Sequence, residues 1–463
     1  MFNYKHLAVA IASISAVSVA SAAGLDRSGQ DVTAFLQDGT YGEVVYTYID
    51  ADVSGKDISG NPTSDIAQAY DFGRFGVKAD INDTFSVGVL YDEPWGAAVE
   101  YQGNSNFVSQ GADATVNALT GGRVPNAATA QAGLRQAQDG ITQLRTAIAA
   151  AAGGDTTKLQ TQLNDTVANA RLLGSALRAA LTAEEQKGQG TNVEIRTQNA
   201  TLLLGAKLGE NKNLQIYGGP QMQRLTGEVH LRGVAYGPMT GYDANIGADM
   251  GYGWVAGVAY SKPEIALKAA LTYRSEIDHE RSIAEIIPAT GYESSQNFKV
   301  TLPESWNLDF QTGINPTTLL TAKVRYVPWS DFNITPPQYS ETIKGSNPVL
   351  YPNGLPIVRY EKDQWSAEVG LGKKLSDKVS VSGNLGYDSG AGNPVSTLGP
   401  IKGYYSLGLG AKYNITPEWS VSVGGKYLKF GDATAQLPNG VKAGEFDDND
   451  GFIAGVKLAY QQK

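Results

Sequence analysis

The stretch "YYSLGLGAKYNITPEWSVSVGGKY" runs from Tyr404 to Tyr427. Tyr405, Leu407, Leu409, Ala411 and Tyr413 alternate with Ser406, Gly408, Gly410 and Lys412. After Asn414-Ile415-Thr416-Pro417 the pattern resumes, with Trp419, Val421 and Val423 set against Ser420, Ser422 and Gly424. Successive side chains of a strand point to opposite faces. The stretch is therefore a hairpin with one apolar face and one small, polar face. The fold depends on what each face looks at.

The same alternation and the turn signals between its runs give fourteen strands. They fall near 42–51, 70–80, 84–93, 192–209, 213–231, 247–261, 264–278, 296–313, 317–334, 358–375, 378–388, 401–414, 418–431 and 450–461. Tight turns such as Asn82-Asp83, Lys262-Pro263 and Asn315-Pro316 alternate strictly with long connections, near 52–69, 94–191, 232–246, 279–295, 335–357, 389–400 and 432–449. Short turns at one end and long loops at the other mark an outer-membrane barrel. The expected fold is all-β, a 14-stranded antiparallel transmembrane β-barrel over residues 42–463. Its apolar face looks at lipid, and its small, polar face lines the lumen. Lys268 and Arg274, Lys323 and Arg325, and Glu368 all fall on the lumen side. A Lys or Arg facing lipid at mid-depth would cost about 2–4 kcal/mol.

Composition agrees. The chain has 463 residues, a net charge of −9 and no cysteine. The acidic balance argues against a nucleic-acid partner, and the missing cysteine removes disulfides and thiolate chemistry. Residues 1–22 read as a signal peptide: Lys5 and His6, an apolar run Leu7–Val19, then Ala20-Ser21-Ala22 with cleavage near Ala22. No G-x-S-x-G, H-E-x-x-H or P-loop is present, so no enzyme, metal site or cofactor is expected. The run "EFDDNDG" (445–451) places Phe446 where a calcium loop needs a ligand, and reads as a solvated outer loop.

Residues 112–189 interrupt the strand pattern as a helical insert in an outer loop. Leu134, Ile141, Leu144 and Ile148 recur at helical spacing. A second stripe carries Leu159, Leu163, Val167, Ala170, Leu177 and Leu181. An extracellular αα-hairpin is expected, serving either as a self-packed knob or as an apolar landing surface.

Several ordered stretches carry a resemblance: "GLDRSGQ" (24–30), "YIDADVSG" (48–55), "ALTYRSEI" (270–277), "LPESWNLDFQTGI" (302–314) and "VRYVPWSDF" (324–332). Together the chain resembles the outer-membrane long-chain fatty-acid transporter family, which includes aromatic-hydrocarbon uptake proteins. The resemblance implies an N-terminal hatch over 23–41, with Leu25, Phe35 and Leu36 as its apolar, ligand-binding residues. It implies a lateral opening at Pro94, Trp95 and Gly96, where a kinked third strand lets ligand leave sideways. Pro94 fits such a place on its own account, since it cannot donate to a ladder. The chain departs from the family in its shorter hatch, which lacks an Asn-Pro-Ala motif, and in an insert between the third and fourth strands.

The expected function is passive uptake of hydrophobic small molecules, long-chain fatty acids ahead of hydrocarbons, through an internal pocket in the cell outer membrane. Outer-membrane lipid and lipopolysaccharide are the surroundings. A carboxylate cargo needs a cation, and His230, Arg232, Arg274 and Arg325 are the candidates; for each, lumen filling by charge pairs is the alternative. A general diffusion porin and a surface adhesin displaying the insert stay open as other classes.

Overall fold

A computed structural model describes residues 24–151 and 153–462. The expected signal peptide, with cleavage near Ala22, lies outside the described residues. The barrel strands are β1 (Thr40–Asp52), β2 (Tyr70–Asp80), β3 (Phe85–Asp92, resuming as Gly96–Glu100), β4 (Asn192–Leu208), β5 (Leu214–His230), β6 (Asp243–Lys262) and β7 (Leu267–Arg274, resuming as Ile277–Ile287). They continue as β8 (Tyr292–Leu302, resuming as Ser305–Asn315), β9 (Thr318–Val327), β10 (Gln364–Lys374), β11 (Val379–Asp388), β12 (Lys402–Asn414), β13 (Trp419–Gly431) and β14 (Asp450–Gln462). Each pairs antiparallel with its neighbours in sequence, and β1 pairs with β14 from Thr40↔Gln462 to Asp52↔Asp450. The sheet is closed, so no edge is left for lipid to solvate. None of the described helices is long and apolar enough to cross a membrane.

The two faces divide as the alternation requires. On β12, Tyr405, Leu407 and Leu409 are exposed, while Ser406 and Lys412 are buried. Lys78, Lys426 and Lys457 also point inward and are buried. Aromatic pairs meet in tilted contact across the outer face, including Trp419–Tyr460 and Trp254–Tyr273. These pairs suit the wet-edged interface of a bilayer.

Three boundaries differ from the sequence reading. The long connection expected over 279–295 is a tight turn at 288–291, because β7 and β8 run on past the barrel as a tall hairpin. Its inward face buries Ile283, Ile287, Phe298 and Val300 together with two polar groups, His279 and Glu285. Its outward face turns polar with Glu280, Ser282, Asn297 and Lys299, so the lipid signature ends while the strand continues. β9 stops at Val327 rather than 334, because Pro328 follows and cannot donate to a ladder. β10 starts at Gln364 rather than 358; Val358–Arg359 instead forms a short ribbon with Asn333–Ile334.

The insert holds three helices: α1 (Ala112–Leu119), α2 (Ala127–Ala150) and α3 (Thr157–Glu185). A fourth, α4 (Pro337–Ser346), lies in a later loop where no helix was expected. Asn126 caps α2 by accepting from the Thr129 amide at 2.8 Å. Before α3, Asp155 accepts from the amide and the hydroxyl of Thr157, which holds its carboxyl below the usual range. Leu181 does not belong to the packed stripe: it is exposed, and Leu173, Ala176, Ala180 and Ala183 take the buried positions. The base of α3 is tied down by Ser175 Oγ and Arg178 Nε, both donating to the Ala289 carbonyl at 3.0 Å. The acidic run is not wholly a solvated loop either. Lys442–Phe446 is a strand of a five-stranded sheet among the outer loops, with Phe446 fully buried.

Candidate functional site: a break in the wall and the cavity behind it

The wall is interrupted between β2 and β3. Their pairing runs from Asp80↔Ser86 up to Phe75↔Tyr91 and then stops. It returns as a lone bridge, Ala67↔Val99. The two pairings lie eight positions apart on each strand, so the register is unchanged across the break. Against β4 the count differs: four residues of β3 span three of β4 between Asp92↔Asn199 and Gly96↔Arg196. The extra residue bends β3 inward at Glu93-Pro94-Trp95, away from β2.

The bent segment finds its partner in the hatch. Arg27 N donates to the Pro94 carbonyl at 2.8 Å, and Gly96 N donates to the Leu25 carbonyl at 2.7 Å. Trp95 bridges Asp26 on that side, and on the other its amide donates to Thr197 Oγ1 at 2.8 Å. The backbone left unpaired by β2 is thus satisfied by residues 25–27. Tyr70 fills the break, donating to Glu93 Oε2 at 3.2 Å under the guanidinium of Arg196. Gly96 leaves room for this ring: a Cβ there would lie 2.9 Å from the Tyr70 hydroxyl oxygen, and the tyrosine would have to shift.

The hatch, residues 24–39, is seated by shape and by charge. Phe35 is fully buried against Tyr217, ring centres 5.7 Å apart. Its ring occupies room that Gly88 and Gly205 leave on the inner wall, where added Cβ atoms would lie 2.7 Å and 3.0 Å from it. Burying such a ring is worth about 1.5–3 kcal/mol. Asp26 accepts from Arg325 Nε at 2.6 Å and Nη2 at 3.3 Å. Asp31 accepts from Lys323 at 2.8 Å and lies 3.7 Å from Arg74. Ser28 donates to Asp92 at 2.8 Å.

Two cavities flank the hatch. One, about 90 Å³, lies against β8–β11 with a mixed lining in which Leu36, Phe310 and Leu371 stand beside Asp309, Lys323 and Glu368. The other, about 70 Å³, lies directly behind the break. Leu25, Ile49, Val99, Leu398, Ile401 and Leu428 supply most of its apolar wall, and Tyr70 and Ala97 are shared with the break.

A family model described as "Outer membrane protein transport protein (OMPP1/FadL/TodX)" matches residues 138–459. The chain belongs to this family. Among solved structures, a FadL homologue of Pseudomonas aeruginosa superposes with a TM-score of 0.60 at 14% identity, covering 99% of this chain and 97% of the other. The toluene transporter TodX of P. putida gives 0.53 at 12% identity, covering 93% and 91%. The toluene transporter TbuX of Ralstonia pickettii gives 0.51 at 10% identity, covering 93% and 92%. At these identities the likeness is one of fold. No curated protein matches the sequence.

In this member of the OMPP1/FadL/TodX family the expected site residues scatter. Leu25 lines the apolar cavity, whereas Phe35 and Leu36 sit lower, Phe35 against the wall and Leu36 in the lining of the other cavity. Pro94, Trp95 and Gly96 lie together at the break. The four cation candidates do not converge. His230 Nδ1 and Arg232 Nη2 each meet Asp243 Oδ1 at 2.6 Å, in an outer cleft. Arg274 donates to Thr201 and Gln221, and Arg325 is held by Asp26, Asn307 and Gln30. None of the four lines the apolar cavity. Sequence reasoning missed Tyr70, Glu93 and Arg27. The bulge beside Pro94 was the available signal for the first two.

Proposed function

We propose that this chain takes up hydrophobic small molecules passively across the outer membrane, with long-chain fatty acids as its foremost cargo. Cargo enters the apolar cavity from the outer loops and leaves sideways through the break between β2 and β3 into the bilayer. One observation carries the reading: an apolar cavity lies directly behind an interrupted stretch of wall while the hatch occupies the lumen below. A water-filled pore gives an apolar solute no favourable surface, whereas a lateral exit keeps it out of water. The shared fold of the two toluene transporters makes small aromatic hydrocarbons the competing cargo.

The test is uptake of radiolabelled oleate by cells whose own uptake protein is deleted. The substitution Ala97→Trp, at a small residue shared by cavity and break, should cut uptake while the barrel still shows heat-modifiable migration. Undiminished uptake in a folded Ala97→Trp protein removes the lateral route. A general diffusion porin predicts instead a large, steady conductance in planar bilayers.

A further inference from the structure

The apolar cavity encloses about 70 Å³, well below the roughly 300–1,000 Å³ of ordinary small-molecule sites. A cargo molecule must therefore displace part of the lining. Leu25 and Val99 sit on backbone tied across the bent segment, Leu25 through the Gly96 amide and Val99 through its bridge to Ala67. Tyr70 stands in the break itself, between cavity and bilayer. It is the first residue of β2, and its backbone is paired to Ile49 of β1. On the other side β2 has lost its ladder to β3, and the buried ring takes that place. Two polar contacts hold the ring there. Its hydroxyl donates to Glu93 Oε2 on the bent segment at 3.2 Å. The Arg196 guanidinium lies 4.7 Å from the ring centre, and Arg196 Nε meets Glu194 at 3.0 Å.

We infer that Tyr70 is a door in the wall: latched by Glu93, its ring keeps bilayer lipid out of the cavity and swings aside for departing cargo. The inference rests on the lateral-exit reading and adds to it the residue that regulates the exit. An apolar cavity left open to the bilayer would fill with acyl chains, which are as apolar as the cargo and far more abundant. The hatch does not prevent this. Residues 25–27 satisfy the backbone of the bent segment, but the space toward β2 is closed by a side chain. A side chain anchored at its backbone can turn out of a gap and return without disturbing the barrel ladder. A hydrogen bond to a carboxylate together with a cation–π contact should favour the closed ring by roughly 10- to 100-fold. Gly96 supplies the seat to which the hydroxyl returns.

The experiment reads access from the bilayer without any cargo. The chain contains no cysteine, so Ala97→Cys puts a single thiol on the cavity side of the door. The full chain in lipid nanodiscs is treated with N-dodecyl maleimide, which stays in the membrane. Leu202→Cys, on the exposed lipid face, gives the rate of an unshielded thiol in the same bilayer. Ala97→Cys should react slowly, and adding Tyr70→Ala should raise its rate roughly 10- to 100-fold. Tyr70→Phe keeps the ring, loses the latch and should fall between the two. Heat-modifiable migration reports that each variant is folded. If Ala97→Cys reacts as fast as Leu202→Cys with Tyr70 in place, the break is already open; the door is overturned and the lateral exit stands. A Tyr70→Phe rate no higher than that with Tyr70 overturns Glu93 as the latch. If Ala97→Cys stays slow in every variant while Leu202→Cys reacts, cavity and bilayer do not connect here, and the inference falls with the lateral-exit reading.

Discussion

Replacing Asp26 by Asn should loosen the hatch. The Arg325 side chain is buried, and Asp26 is fully so; they meet through two bonds of 2.6 Å and 3.3 Å. Removing one partner of a buried ion pair costs about 3–5 kcal/mol, because the other charge is left without compensation. Here Arg325 keeps Asn307 at 2.8 Å and Gln30 at 3.1 Å, which places the cost near the lower end. About 3 kcal/mol is roughly a 100-fold rise in the undocked hatch population. In planar bilayers this should appear as frequent large openings from a barrel that is otherwise almost silent. The double substitution Asp26→Leu with Arg325→Met removes both charges and should return the openings close to the wild-type level. An Asp26→Asn channel as quiet as the wild type would refute the reasoning, and so would a double variant noisier than the single one.

Other consequences are simpler to state. Pro94→Ala restores an amide on the side of β3 that faces β2, and the register there is unbroken. Part of β3 should re-pair with β2, slowing amide exchange at residues 71–74 and reducing fatty-acid uptake; unchanged exchange would show that the proline does not hold the break open. Leu407→Arg puts a cation on the lipid face and should destabilise the barrel by about 2–4 kcal/mol in urea titrations on phospholipid vesicles, whereas Leu407→Ile should be nearly neutral. Ser109 and Gly188 are already hydrogen-bonded through their backbones, so excising residues 112–186 with a short linker should leave a folded barrel. Uptake should persist without the insert, and its loss would make the helices part of cargo capture.

The barrel was legible because lipid and lumen impose a two-residue code that local sequence must obey. Leu407 beside Ser406, or Leu371 beside Gly370, declares its face without reference to any distant residue. The code fails where lipid ends. Glu280 and Ser282 face outward on a strand that continues past the barrel, so this part of the tall hairpin looked like a loop. The ion pairs were illegible for a different reason. Arg325 is indistinguishable in sequence from a cation awaiting cargo until Asp26 is placed against it. Arg27 sits in a segment with no periodicity at all, and its exposure to the cavity comes from the path of the hatch. The bend in β3 was half legible: Pro94 marked the place, but only the unequal counts against β2 and β4 give its direction.

The contact between Asp26 and Arg325 joins residues 299 apart in the chain. During export the hatch emerges ahead of every strand, and its anchor on β9 arrives only after eight strands have followed. Once β14 has zipped to β1, the cylinder is sealed. The plug must therefore wait at the mouth of a growing, open sheet and be enclosed as the seam forms, which makes its docking a part of biogenesis rather than an event that follows it.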